Sequence, residues 1–187
     1  MTTKYSYHQV LLPGQVFPQI IVPLVNGEKT VIKSNGTNAK LVVIYRGQFC
    51  PFCRATLHQI NESLQKLHDA GIDVIAVSAD LRDAATDLVQ EMGLQFPVGH
   101  SLQPEQFRVL GTFVSSPTNY VDQGHLFSEP AWFLIDANDR IRYSDYGSAP
   151  FAGRPNVDAV IAGYLWAVQE GKERPSFRTV VFGSIAQ

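Results

Sequence analysis

Cysteine is scarce in this sequence, with two in 187 residues. Two cysteines cannot build a disulfide framework, and a chain of this length does not need one, because about 150 residues already bury roughly 70% of their extended-chain surface. Two thiolates also fall short of the four ligands of a structural zinc site, and His58, His68, His100 and His125 show no ligand spacing around them. Charge of one sign is lacking as well. Fifteen basic residues face seventeen acidic ones, a formal charge of −2 without any basic run, which argues against nucleic acid or an anionic membrane surface as partner. No uninterrupted apolar run approaches the roughly 18 residues of a membrane span. The start, Met1 to His8, has no basic stretch followed by an apolar core. The expectation is a single domain in the cytoplasm, where a vicinal cysteine pair is more often catalytic than structural.

What is there is concentrated in Tyr45-Arg46-Gly47-Gln48-Phe49-Cys50-Pro51-Phe52-Cys53-Arg54, which holds both cysteines at C-x-x-C spacing. Before it, Leu41 to Tyr45 is apolar without alternation, as a strand buried on both faces reads. After it, Cys53, Leu57, Ile60, Leu64 and Leu67 recur at helical spacing as far as Gly71, the expected left-handed stop. Two cysteines in the first turn of a helix are close enough to switch between dithiol and disulfide. The partial positive charge of the helix N-terminus favours the thiolate that attacks.

The rest of the chain frames this stretch. Residues 16–33, with Asn26-Gly27 at the middle, predict an N-terminal β-hairpin. Ile72–Val77 predicts a strand that closes a βαβ unit, followed by a helix over Arg82–Met92 capped by Asp80 or Asp83 and stopped by Gly93. A short strand at Phe96–Val98, a helix at Pro104–Leu110 and a loop over Ser115–Gly124 come next. Ala131–Asp136 and Arg140–Tyr146 predict a second hairpin, and Asn156–Gln169 a closing helix. The core thus runs over about 40–170. The apolar tail, 175–187, packs on its own domain or on a second subunit of a homodimer.

This order, with C-x-x-C opening the helix and an X-Pro-initiated hairpin later, resembles the thioredoxin superfamily, an α/β fold with a central mixed sheet flanked by helices. Cys50-Pro51-Phe52-Cys53 is similar to the C-P-aromatic-C of glutaredoxins. Tyr45-Arg46-Gly47 and Trp132-Phe133-Leu134-Ile135-Asp136 look like the peroxiredoxin-like branch, the AhpC/TSA family. The match, from about Pro13 to Gly171, is not complete. Against the P-x-x-x-[TS]-x-x-C of typical peroxiredoxins, the peroxidatic position falls on Cys53, the Thr/Ser position on Cys50 and the leading Pro on Arg46. The Arg that those enzymes place before the later strand falls on Pro130, which instead resembles the cis-Pro beside thioredoxin active sites.

The resemblance implies a thiol–disulfide oxidoreductase in which Cys50 attacks and Cys53 resolves. Pro130, in a cis form, would leave an edge free for substrate backbone. Phe52, Phe49 and Trp132 are candidates for an apolar rim, with Phe52 the one expected to be exposed. Arg46 either lowers the Cys50 pKa or makes an ordinary ion pair. The alternative enzyme is a thiol peroxidase with Cys53 attacking peroxide, Cys50 resolving, and Arg46 or Arg54 replacing the missing donors. An alternative of another class is a redox-sensing module without turnover. Neither activity needs a metal or an organic cofactor; the partner is a thiol or disulfide protein or a small thiol reductant. Asp80 reads as a helix cap rather than a buried proton acceptor, His125 is a candidate to line the site, and no argument from the sequence puts Arg154 there.

Overall fold

The computed structural model describes residues 10–116 and 124–168. Asn26-Gly27 turns the chain between β1 (Ile21–Pro23) and β2 (Lys29–Val31), a short antiparallel hairpin. The central strand is β3 (Ala39–Ile44). It pairs in parallel with β4 (Ile72–Val77) and antiparallel with β8 (Ala131–Ile135). With β5 (Val98–Gly99) and β9 (Ile141–Tyr146) at the edges, the five-stranded mixed sheet has the order β5-β4-β3-β8-β9. The apolar run without alternation is explained by this position. Leu41, Val43 and Tyr45 enter one core with Cys50, Cys53 and Leu57, while Val42 and Ile44 enter another with Val22, Phe107 and Phe133.

The helical stripe after the cysteines becomes two helices rather than one. The first, α1 (Pro51–Glu62), ends at Ser63, and α2 (Leu64–Asp69) follows directly. Both deliver their apolar residues, Ile60 and Leu67 among them, to the same core. Gly71 turns left-handed at φ +69° beyond α2, as its place in the sequence requires.

The next helix, α3 (Arg82–Met92), has the expected bounds but not the expected cap. Leu81 stands at its N-cap, and Asp80 caps nothing. The helix α4 (Pro104–Leu110) starts on its proline, with Gln103 and Gln106 bonding reciprocally across the first turn. A short strand β6 (Val114–Ser115), paired with β7 (Phe127–Ser128) just ahead of β8, runs into the first residue of the stretch expected as a loop; residues 117–123 within that stretch lie outside the described residues. The last described element is α5 (Val157–Val168), and the 175–187 tail also lies outside the described residues. Among the described residues no helix is long and apolar enough to cross a membrane.

Candidate active site

Strand β3 ends at Ile44, and six residues later, at Cys50, the chain must enter α1 in a new direction. Gly47 makes that turn at φ +146°; a Cβ there would sit 2.6 Å from Asp80 Oδ1. The carboxyl of Asp80 closes the turn from the other side, accepting the Gln48 N–H at 2.8 Å and the Ser78 hydroxyl at 3.0 Å. Burial pushes Asp80 above the usual carboxyl range, and burial likewise pushes the fully buried Tyr45 phenol up. The Asp80 side chain is therefore a fastener of the β3–α1 turn, in place of the cap predicted for it.

This turn sets Cys50 at the N-cap of α1, with Pro51 at the first helical position and Cys53 one turn in. Both cysteines are free thiols, 1% and 0% exposed. Two arginines reach them. The Arg46 backbone N–H donates to Cys53 Sγ at 3.3 Å, and its Nη1 lies 3.7 Å from Cys50 Sγ. Arg154 Nη2 lies 3.2 Å from Cys53 Sγ and 3.8 Å from Cys50 Sγ.

The thiols titrate as a pair. Cys50 is held down to about 5, first by the hydrogen bond from the Cys53 thiol and then, against the cost of burial, by Arg46 and the charge of Arg154. Burial pushes Cys53 up, and donating to Cys50 pushes it further. The pair thus carries one negative charge on Cys50 and one proton on Cys53 near neutral pH.

The arginines are held differently. Arg46 Nε pairs with the Glu129 carboxylate at 3.1 Å, and its guanidinium lies 4.9 Å from the Phe127 ring centroid and 5.3 Å from that of Phe49. Glu129, 3% exposed, also accepts the Ser115 hydroxyl at 2.6 Å. One side chain thus both pairs with Glu129 and faces the Cys50 sulfur. Arg154 is held by neutral oxygens: Nε and Nη2 bond the Pro150 carbonyl at 2.9 and 2.7 Å, and Nη1 the Thr56 hydroxyl at 3.1 Å. Its loop is pinched where Gly147 and Gly153 meet backbone to backbone, Gly153 at φ +63°. No side chain fits there.

Arg154, Glu129 and Ser115 are the site residues missed from the sequence. A signal for Arg154 existed. The second hairpin returns Tyr146 opposite Ala131, which itself faces Ile44, so the chain leaving β9 emerges at the cysteine end of the sheet.

Other candidates are placed elsewhere. Arg54 pairs with Glu91 on the surface at 2.8 Å and supplies no donor to the thiols. Among the described residues no peptide bond is cis, so Glu129–Pro130 is trans rather than the cis form expected. Pro130 is buried, its carbonyl accepting the Gly147 N–H at 2.8 Å. Trp132 is core at 1% exposed, Phe49 is half-buried against Phe127, and Phe52 is 49% exposed beside the thiols. Phe151, next to the carbonyl that holds Arg154, is 72% exposed. Near Asp80, His125 is the smallest of the influences on that carboxyl, lowering its pKa against burial. Among the described residues no group of three or more His, Cys, Asp or Glu side chains gathers as metal ligands would.

Comparison with known proteins agrees with this architecture. The chain is similar to thiol-disulfide oxidoreductase ResA of Bacillus thuringiensis (strain Al Hakam) and of Bacillus anthracis, 28% identical over 130 residues, covering 68% of this chain and 66% of each relative. It therefore spans just under two thirds of the length of those curated relatives. Among solved structures, a peroxiredoxin-like protein from Aquifex aeolicus superposes with a TM-score of 0.68 at 18% identity, over 84% of this chain and 88% of that one. Mycobacterium bovis AhpC gives 0.70 at 15% identity, over 90% and 98%. These two establish the fold. The AhpC/TSA family model matches residues 13–144, more than half of the chain, and takes in the hairpin, the cysteine turn and all of the sheet but the end of β9; the chain belongs to the AhpC/TSA family.

Proposed function

We propose that the protein is a thiol–disulfide oxidoreductase in which Cys50 is the nucleophile and Cys53 the resolving thiol. The carrying observation is the unequal pair: one thiol drawn down to about 5 at a helix N-terminus, the other pushed up and donating its proton to it. The Cys50 thiolate attacks a substrate disulfide, one S–S bond breaks as another forms, and the first substrate thiolate leaves. Cys50 then no longer carries the charge that Cys53 was solvating. The Cys53 proton departs, and the new thiolate has its donors already in place, Arg46 N–H at 3.3 Å and Arg154 Nη2 at 3.2 Å. It attacks Cys50 Sγ, the second substrate thiolate leaves, and two electrons have passed from the dithiol to the substrate. Run backward, the same steps oxidise a dithiol partner.

Phe52 and Phe151 offer apolar surface where a disulfide-bearing partner docks, and docking must open the cover over Cys50, which is 1% exposed. The reductant is a thiol protein or a small thiol, and a reducing compartment such as the cytoplasm suits a cycle that begins from the dithiol. Kinship to the named oxidoreductases supports this reading. The test is mixed-disulfide trapping. Cys53→Ser incubated with a small disulfide accumulates one adduct, on Cys50, by intact mass and peptide mapping, and Cys50→Ser accumulates none. An adduct on Cys53 in the Cys50→Ser protein at a comparable rate would overturn the assignment.

A second reading is favoured by one observation, the convergence of the shorter donor contacts on Cys53. In it Cys53 attacks peroxide, the O–O bond breaks, a sulfenic acid forms, and the Cys50 thiol condenses with it to release water. Peroxide consumption that survives Cys50→Ser and disappears in Cys53→Ser selects this reading.

A further inference from the structure

Glu129 has no part in the electron transfer, yet among the described residues it is one of the most buried acids. Its side chain is 4% exposed, in contact with an arginine that is 12% exposed and itself 3.7 Å from the attacking sulfur. Its second partner, Ser115, comes from β6, a strand that its pairing with β7 and the Glu129 N–H donating to the Phe113 carbonyl at 2.8 Å already hold beside Glu129; the Ser115 hydroxyl adds a bond of 2.6 Å. Burying a pair of charges is costly, and hydrophobic residues of the same volume would pack there as well or better. Anchoring Arg46 does not by itself call for an acid, since Arg154 is anchored equally well by a carbonyl and a hydroxyl. The difference between a carboxylate and a neutral acceptor in this place is one unit of charge beside the thiols.

That unit balances the site. With Cys50 ionised, the charges in contact are the Arg46 and Arg154 guanidinium groups, the Cys50 thiolate and the Glu129 carboxylate, two of each sign. An incoming anion finds no surplus cation, and an incoming cation no surplus anion. We infer that Glu129 sets the charge selectivity of the thiol site, cancelling one of its two cations so that uncharged disulfides are the favoured substrates. The inference rests on Cys50 as attacker and adds the substrate class.

Three aliphatic disulfides of matched length form the test: bis(2-hydroxyethyl) disulfide, uncharged; 3,3′-dithiodipropionate, a dianion; and cystamine, a dication. First-turnover rates of the full reduced protein are measured at pH 7 and low ionic strength, each divided by the rate with free 2-mercaptoethanol to remove intrinsic reactivity. The wild type favours the uncharged disulfide. Glu129→Gln keeps acceptors for Ser115 and Arg46 but leaves a surplus cation. Its dianion-to-neutral ratio rises about tenfold, the order expected of one charge acting across a part-buried site, and the gain collapses in high salt. Arg46→Gln moves the ratio the opposite way, which keeps the test open should Glu129→Gln fold poorly. Ratios within twofold of wild type in the folded variants, with Cys50 still reacting, overturn the inference alone. Normalised rates no better than free thiol for all three disulfides, in the wild type, overturn both the inference and the reading it rests on.

Discussion

Two regions of the molecule each send an arginine to the same pair of sulfurs, and they do so by opposite means. The β3–α1 turn holds Arg46 in a charged and aromatic setting: paired with Glu129, stacked on Phe49 and Phe127, with its backbone fixed by the turn that Asp80 fastens. The loop after β9 holds Arg154 by a carbonyl and a hydroxyl that leave its charge uncancelled. Both guanidinium groups lie about equally far from Cys50, at 3.7 and 3.8 Å, and Arg154 stands closer still to Cys53, at 3.2 Å. The comparison teaches a division of labour. In the proposed cycle Arg46 trims the ionisation of Cys50, while Arg154, whose charge also bears on Cys50, supplies positive charge to Cys53, the thiol that would lose its proton later.

The division breaks most visibly at Arg154. Arg154→Met removes the uncancelled charge and the 3.2 Å donor from Cys53. A charge-assisted hydrogen bond of this kind contributes about 1.5–3 kcal/mol, so resolution of the mixed disulfide slows roughly tenfold to hundredfold. The adduct on Cys50 then persists long enough to be seen by rapid quench and intact mass, while its formation at pH 7 changes little because Cys50 is already ionised there. Equal slowing of both steps would dissolve the distinction between the arginines.

A smaller effect of the same kind is expected one residue away. Gly153→Ala puts a side chain into a left-handed residue whose Cβ would press on the Gly147 backbone. Strain of this type costs about 1–3 kcal/mol, read as a lowered denaturation midpoint. The loop relieves it by opening, so resolution slows in the direction of Arg154→Met but by less. Unchanged resolution in a destabilised protein would show that the Arg154 placement does not depend on the pinch.

These two regions also mark how far the sequence was readable. The β3–α1 turn was legible because its signals are local: an unalternating run for a doubly covered strand, helical spacing from Cys53 to Leu67, and C-x-x-C between them. The bounds of α3 and α4 and the second hairpin were legible for the same reason. The illegible parts depend on atoms brought together from far apart. Asp80 looks like a cap because a helix lies just ahead of it, yet its nearest donor is the Gln48 N–H, 32 positions away. Ser63 breaks the helical stripe without a glycine or proline to announce it. β6 and β7 are too short to show a period, though they carry Ser115 and lead into Glu129. Arg154 sits 101 positions from Cys53, in a loop whose glycines and prolines announce a turn but not what it reaches.

The finest test of the comparison is at Arg46. Arg46→Lys keeps a cation opposite Glu129 but loses the planar fork that lets one side chain pair, stack and face a thiol at once. The Cys50 thiol then loses part of what holds it near 5 while keeping its largest support, the Cys53 hydrogen bond, and the charge of Arg154. Its iodoacetamide reaction, followed against pH, inflects higher than in the wild type by about one pH unit or less. The sign extends to stability. A thiol that ionises lower in the folded chain than its unfolded value of about 8.5 stabilises the reduced protein fully above that value. That stability drains away as pH falls through about 5, so the variant loses it at a slightly higher pH and holds slightly less of it at pH 9. A shift as large as that of Cys53→Ala, which removes the first support outright, would mean that Arg46 and not the second thiol governs Cys50, and the two arginines would have to exchange roles.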